Sequence, residues 1–128
     1  MKYFILIILI LSVFLISCSS SGDLTSSAVL DNFSQCLTER GAKMYGAYWC
    51  PHCLDQKEMF GKSWNNINYI ECSLPGKSGQ TEVCNLAGIT SYPTWEFADG
   101  SRRNGVLQLE ELSSITGCPL FEELDYEG

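Results

Sequence analysis

Two cysteines separated by two residues carry the clearest chemistry in this sequence: Cys50-Pro51-His52-Cys53. This spacing lets both sulfurs meet at the start of a helix, where unpaired N–H groups and the positive end of the helix dipole stabilise a thiolate. Because the thiolate is the species that attacks disulfides, Cys50 is predicted to be the nucleophile. Cys53, one helical turn later, is predicted to be the resolving thiol that breaks the mixed disulfide.

The two residues between the cysteines favour the same interpretation. Pro51 suits the first turn of a helix, where a missing N–H has no partner to lose. The imidazole of His52 can donate to the Cys50 thiolate or pair with its charge. Such contacts stabilise the reduced form, which makes the disulfide a stronger oxidant.

Two other uses of these cysteines are weaker. A zinc site would need a second Cys-x-x-Cys or a Cys/His pair, and His52 is the only histidine of the chain. A purely structural Cys50–Cys53 disulfide would close too small a loop to gain much chain entropy. We therefore expect a redox-active disulfide, with no metal and no other cofactor.

The N-terminal residues 1–17 have the pattern of a signal peptide. Lys2 precedes an almost wholly apolar run from Tyr3 to Ile16, which is too short to span a bilayer but suits a signal-peptide core. Ser17-Cys18 resembles the lipobox of bacterial lipoproteins, whose cysteine is acylated. An uncleaved anchor or a plain secretory signal is the alternative. We expect a lipid-anchored, extracytoplasmic protein, in the periplasm or on the outer face of the membrane, with residues 18–27 as a flexible tether.

The cysteine count and the charge agree with that location. Of seven cysteines, six remain once Cys18 carries lipid, and this density fits an oxidising compartment. The formal charge of −7 argues against binding to nucleic acids, because little in the chain would displace phosphate counterions.

The elements that must position Cys50 and Cys53 form one α/β domain over residues 28–118, followed by an acidic tail at 119–128. Apolar periodicity and turn residues predict the order α-β-α-β-α-β-β-α. The helices are expected at 28–40, 50–64, 80–87 and 109–116, and the strands at 43–49, 67–72, 94–98 and 105–107.

A second motif, Gly88-Ile89-Thr90-Ser91-Tyr92-Pro93-Thr94-Trp95, resembles a segment of the thioredoxin superfamily. The resemblance implies a central mixed four-stranded sheet flanked by helices. It also implies that Pro93 is a cis-proline facing the active-site disulfide, and that Tyr92 tunes specificity and potential. The alternative is an ordinary loop proline before an edge strand. The Cys-x-x-Cys motif at 50–53 and this segment follow one another in the order that the superfamily shows.

Residues 33–118 resemble more closely the DsbA-type, thioredoxin-like domain associated with bacterial vitamin K epoxide reductase homologues. The matching stretches include Gly41 to Cys53, Asp55 to Gly61 and Ile67 to Cys72. In that family the domain takes electrons from secreted protein thiols and passes them to a membrane reductase and its quinone. Here such a vitamin K epoxide reductase-like or DsbB-like partner is expected to act in trans.

The resemblance also bears on the other cysteines and on Met44. It implies a structural Cys72–Cys84 disulfide, with a redox relay as the alternative, and elimination leaves Cys36 to pair with Cys118. Met44 stands where reducing thioredoxins carry a buried aspartate, so no obvious buried base is available to Cys53.

These observations predict a membrane-tethered thiol–disulfide oxidoreductase that oxidises substrate protein thiols. One alternative is a disulfide reductase, for example in cytochrome maturation. Another is a non-catalytic binding module or metal chaperone on the same fold.

Overall fold

A computed structural model describes residues 21–120, with side chains from residue 27 onward. The predicted signal peptide, the Cys18 lipid site and the acidic tail beyond residue 120 lie outside the described residues. Within the described part, no helix combines the length and the apolar character needed to cross a bilayer.

Helices and strands alternate along the described chain in the predicted order. The helices are α1 (Ser21–Glu39), α2 (Pro51–Phe60), α3 (Glu82–Leu86) and α4 (Leu109–Thr116), and the strands are β1 (Lys43–Gly46), β2 (Tyr69–Glu71), β3 (Thr94–Glu96) and β4 (Arg102–Asn104). Short 3-10 helices cover Gly61–Asn66 and Pro75–Lys77.

The four strands form one mixed sheet in the order β2-β1-β3-β4. β1 and β2 are parallel, whereas the β1–β3 and β3–β4 pairs are antiparallel. A parallel pair needs a crossover, and α2 supplies it. Because α2 begins shortly after β1 ends, its N-terminus lies at the carboxyl end of β1 and of its parallel partner β2. The predicted α/β class, a thioredoxin-like mixed four-stranded sheet flanked by helices, is confirmed.

The core lies where the helices pack on the sheet. Fully buried side chains come from α1, β1, α2, β3 and α4: Phe33, Leu37, Met44, Phe60, Trp95 and Leu112. The Phe33 and Phe60 rings stack with centroids 6.3 Å apart, which joins α1 to α2. Met44 therefore belongs to this core.

Two disulfides tie the elements together. Cys36 of α1 is bonded to Cys118, just after α4, and Cys72 after β2 is bonded to Cys84 of α3. These are the two pairings expected from the sequence. All four sulfurs are thereby engaged away from Cys50 and Cys53.

The prediction of a strand at 105–107 was wrong. The last strand is Arg102–Asn104, paired with Thr94–Glu96 around the Asp99-Gly100 turn. It is an exposed edge strand, where charged residues discourage pairing with other chains. An apolar pattern therefore could not reveal it.

Other boundaries differ as well: β2, α3 and β3 are each shorter than predicted by two or three residues, and three further differences concern α1, β1 and α2. α1 begins at Ser21 instead of residue 28, within the segment predicted to be a tether, because short polar residues also occur at helix starts. β1 ends at Gly46, three residues earlier than predicted. The helix predicted over 50–64 ends at Phe60, since Gly61 has a φ of 53° and changes the helix to 3-10 geometry.

Candidate active site

A tight turn after β1 positions the cysteine pair. The Cys50 N–H donates to the Ala47 carbonyl oxygen at 3.0 Å, and the Leu54 N–H donates to the Cys50 carbonyl oxygen at 3.1 Å. Cys50 is thus the N-cap of α2, with extended backbone, and Pro51 occupies the first helical position as predicted. The sulfur of Cys50 therefore stands at the N-terminus of a helix.

Cys50 and Cys53 are both free thiols and both buried. The Cys53 Sγ lies against Gly46 of β1, 2.9 Å from the point that a glycine Cβ would occupy. Burial, together with a hydrogen bond to Cys50, raises the pKa of Cys53 to about 12. Cys53 consequently keeps its proton until another group removes it.

The second sequence motif meets the first at Tyr92. The Cys50 thiol donates to the Tyr92 carbonyl oxygen at 3.7 Å, and the Tyr92–Pro93 peptide bond is cis. The Tyr92 ring meets Trp49 edge-on, with centroids 6.1 Å apart, and its hydroxyl donates to Gln80. The structure thus brings Cys50, Tyr92 and Pro93 into one site.

His52 faces away from this contact. Its ring is exposed, and Nδ1 lies 3.6 Å from Asp55 Oδ2 on the next turn. In the part of the chain that is described, no hydrogen bond joins His52 to Cys50. Its role as stabiliser of the Cys50 thiolate stays a prediction.

The sequence reasoning missed Glu71. Its Oε2 accepts from the Tyr69 hydroxyl at 2.7 Å, and its Oε1 accepts from the backbone N–H groups of Ser73 at 2.8 Å and Tyr48 at 3.3 Å. Glu71 also lines a cavity of about 250 Å³ together with Cys53. The parallel register pairs Glu71 with Gly46, which carries it to the same sheet edge as the cysteines. This pairing exists only in the folded sheet, so no local sequence pattern pointed to Glu71.

The described residues contain no group of three or more histidine, cysteine, aspartate or glutamate side chains placed to hold a metal ion.

A mixed sheet with a dithiol at the start of its first crossover helix, facing the residue before a cis-proline, defines the class of thioredoxin-like domains. Within that class, the chain is similar to the thiol-disulfide oxidoreductase LTO1 of Arabidopsis thaliana, with 44% identity over 88 residues. The similarity covers 66% of this chain and 23% of the plant protein, so the chain spans about a quarter of that relative's length. No protein-family model matches the chain. The site and this relative together support protein thiol–disulfide oxidoreductase chemistry.

Proposed function

We propose that this chain is an extracytoplasmic, membrane-tethered enzyme that oxidises the thiols of secreted proteins through a Cys50–Cys53 disulfide. The observation that carries the proposal is the contact between the Cys50 sulfur and the Tyr92 carbonyl, next to a free Cys53. It supports the proposal because the sulfur of Cys50, the proposed nucleophile, contacts a backbone acceptor, and Cys53, the proposed resolving residue, lies one helical turn away. These are the groups that a dithiol exchange with a polypeptide requires.

The proposed cycle begins with the oxidised pair. A substrate thiolate attacks Cys50, the Cys50–Cys53 bond breaks, and Cys53 leaves as a thiolate that takes up a proton. A second substrate thiolate then attacks the substrate sulfur of the mixed disulfide. Cys50 is released and the substrate gains a disulfide. Two electrons have passed to the enzyme dithiol.

Reoxidation reverses these roles. Cys50 attacks a disulfide of a membrane reductase, and Cys53 then attacks Cys50 to close the bond again. The reductase keeps the two electrons and delivers them to a quinone, which takes up two protons. We propose that this partner, of the vitamin K epoxide reductase or DsbB kind, acts in trans.

The surface around Cys50 suits a polypeptide substrate. Tyr48, Trp49 and Leu54 are large apolar residues, and each exposes two-fifths or more of its surface. Lys77 lies over the Trp49 ring at 5.4 Å and adds a positive charge at its edge. Such a patch can hold an unfolded chain while its cysteine reacts.

The proposed tether rests on Ser17-Cys18 in the sequence. Growth with a labelled fatty acid should label the full-length protein, and Cys18→Ala should remove the label and release the domain from membranes. Retention of Cys18→Ala on membranes after an alkaline wash would point to an uncleaved anchor.

The reduction potential of the Cys50–Cys53 pair tests the direction of the chemistry. Trp49, adjacent to Cys50, offers a fluorescence signal during equilibration with glutathione buffers. We expect a value near −120 mV, at the oxidising end of the thioredoxin-like range. A value near −270 mV would assign the protein to the reductases. Cys50→Ser is the control, because it must abolish the transition. If that variant still supported disulfide formation in cells, the chain would be a binding module.

A further inference from the structure

The cavity between α2 and β2 brings the resolving cysteine and a carboxylate together. It is lined by residues of the β1–α2 turn, of α2, of the following 3-10 helix and of β2: Ala47, Tyr48, Cys53, Leu54, Lys57, Trp64, Tyr69 and Glu71. Its volume of about 250 Å³ can hold several water molecules, each of which needs about 30 Å³ and a few polar partners. The cavity therefore provides a path for a proton between Cys53 and Glu71.

We infer that Glu71 accepts the Cys53 proton, through water in this cavity, when Cys53 resolves a mixed disulfide. This inference rests on the proposed dithiol function. Met44 of β1 is apolar and fully buried, so it cannot act as a base. The inference assigns that role to Glu71 of β2.

The hydrogen bonds of Glu71 fix its carboxylate at the cavity. Tyr48 and Ser73 donate to Oε1 from the backbone, and the Tyr69 hydroxyl donates to Oε2. The Tyr69 ring and the Cys53 sulfur pack against the same point of β1, since Tyr69 Cε2 and Cys53 Sγ each lie 2.9 Å from the position that a Cβ on Gly46 would occupy. Tyr69 is thus a positioning residue that holds Oε2 of Glu71 at the wall of the cavity that Cys53 also lines.

The charges around Cys53 make an acceptor necessary. The titratable groups that surround it come from α2, the turn before it, β2 and the segment before β3: Cys50, Lys57, Tyr48, Tyr69, Glu71 and Tyr92. Burial is the main cause of the raised Cys53 pKa, and the Glu71 charge adds to it. Among these groups, Glu71 alone carries a carboxylate, whose oxygens can accept a proton. Lys57 of α2 lines the same cavity and is its one cationic side chain among the residues named above.

As Cys53 Sγ attacks Cys50 Sγ, its proton passes to Glu71, the Cys50–partner bond breaks, and the partner leaves as a thiolate. The partner is reduced, the enzyme pair is oxidised, and Glu71 later returns the proton to solvent. In the opposite direction, the same path delivers a proton to the departing Cys53.

Ellman's reagent separates the two steps of a single turnover. With the fully reduced protein, attack by Cys50 releases one thionitrobenzoate, and attack by Cys53 on the mixed disulfide releases the second. Glu71→Gln keeps the acceptor oxygen for the two backbone N–H groups but cannot take a proton. We expect it to slow the second phase by about 100-fold near pH 7 and to leave the first phase unchanged. Its second phase should then rise about tenfold per pH unit, whereas the wild-type rate stays nearly flat.

A purely electrostatic role of Glu71 predicts the opposite change in the second phase. If Glu71 acted only through its charge, Glu71→Gln would ease ionisation of Cys53 and make the second phase faster. A faster or unchanged second phase overturns the inference. Glu58→Gln is the matched control, since it removes the same charge from an exposed position of α2 outside the cavity wall.

A solvent isotope effect on the two phases provides an independent test. In heavy water the wild-type second phase should slow while the first does not, which tests the proton transfer even if Glu71→Gln does not fold. Equal rates in both solvents would also count against the transfer. Absence of the first phase in the wild type would instead refute the proposed dithiol function.

Discussion

The sulfur of Cys50 lies 3.7 Å from the carbonyl oxygen of Tyr92, a residue 42 positions later in the chain. The thiol donates to this oxygen, whereas a thiolate or a disulfide sulfur cannot. When Cys50 loses its proton or forms a mixed disulfide, the carbonyl becomes free to accept another donor. We propose that a backbone N–H of a polypeptide attached to Cys50 then donates to it.

Trapping of substrates tests this picture of the site. Cys53→Ala should accumulate mixed disulfides through Cys50, because the sulfur that resolves them is gone. Non-reducing gels of cell extracts, followed by mass spectrometry of the captured proteins, would identify substrates and the reoxidising partner. Cys50→Ala is the control and should capture nothing. Equal capture by both variants would place the reactive sulfur elsewhere.

Gly46 is the position where an added methyl group should be most harmful. A Cβ there would lie 2.9 Å from both Cys53 Sγ and Tyr69 Cε2, and 3.3 Å from Met44 Cε. We expect Gly46→Ala to lower the free energy of unfolding by about 2 kcal/mol and to alter the reactivity of Cys53, as measured by urea unfolding and thiol titration. Gly61→Ala is a useful contrast, since it meets only open space. It should cost about 1 kcal/mol through its positive φ and leave Cys53 unaffected.

Gln56 joins α2 to the segment before α4. It is fully buried, its Nε2 donates to the Leu107 carbonyl at 3.0 Å, and its Oε1 accepts from Leu107 N–H at 2.8 Å and from Trp95 Nε1 at 3.1 Å. Gln56→Leu leaves these groups buried without partners, so we expect a loss of about 3 kcal/mol in chemical denaturation. Gln35→Leu, at an exposed position of α1, should change stability by less than about 0.5 kcal/mol. Similar losses for both would contradict the assigned role.

Glu96 should make stability depend on pH in the acid range. Burial acts to raise the pKa of Glu96, but hydrogen bonds from Lys43 and Arg102 outweigh it and lower this pKa below its usual 4.5. A lowered folded-state pKa gives stability that is present above the unfolded value and is lost as pH falls through the folded one. Wild type should therefore exceed Glu96→Gln by about 1 kcal/mol near pH 7, and the difference should shrink below about pH 4.5. A difference that stays constant down to pH 3 would contradict the ionic contribution.

The sequence was sufficient for what depends on local pattern. Cys50 to Cys53 lie at a helix start because Pro51 and the preceding strand determine the turn, and Tyr92 and Pro93 could be assigned by resemblance. Glu71 could not be found in this way, because its importance comes from the parallel pairing of β1 with β2. The strand at Arg102–Asn104 was not predicted, for a related reason. All three side chains are exposed, and the strand is held by backbone hydrogen bonds to β3. Its sequence therefore shows no alternation of apolar and polar residues that would predict a strand.

The bond between Cys36 and Cys118 closes the chain into a covalent ring that contains the whole sheet and the dithiol. A protease that cuts once inside this ring, for instance in the exposed turn at Pro75–Lys77, produces a nicked molecule and no free fragment. There the Cys72–Cys84 bond spans the cut as well. In any oxidising compartment, where thiol reductants are scarce, a nicked copy would thus remain in one piece.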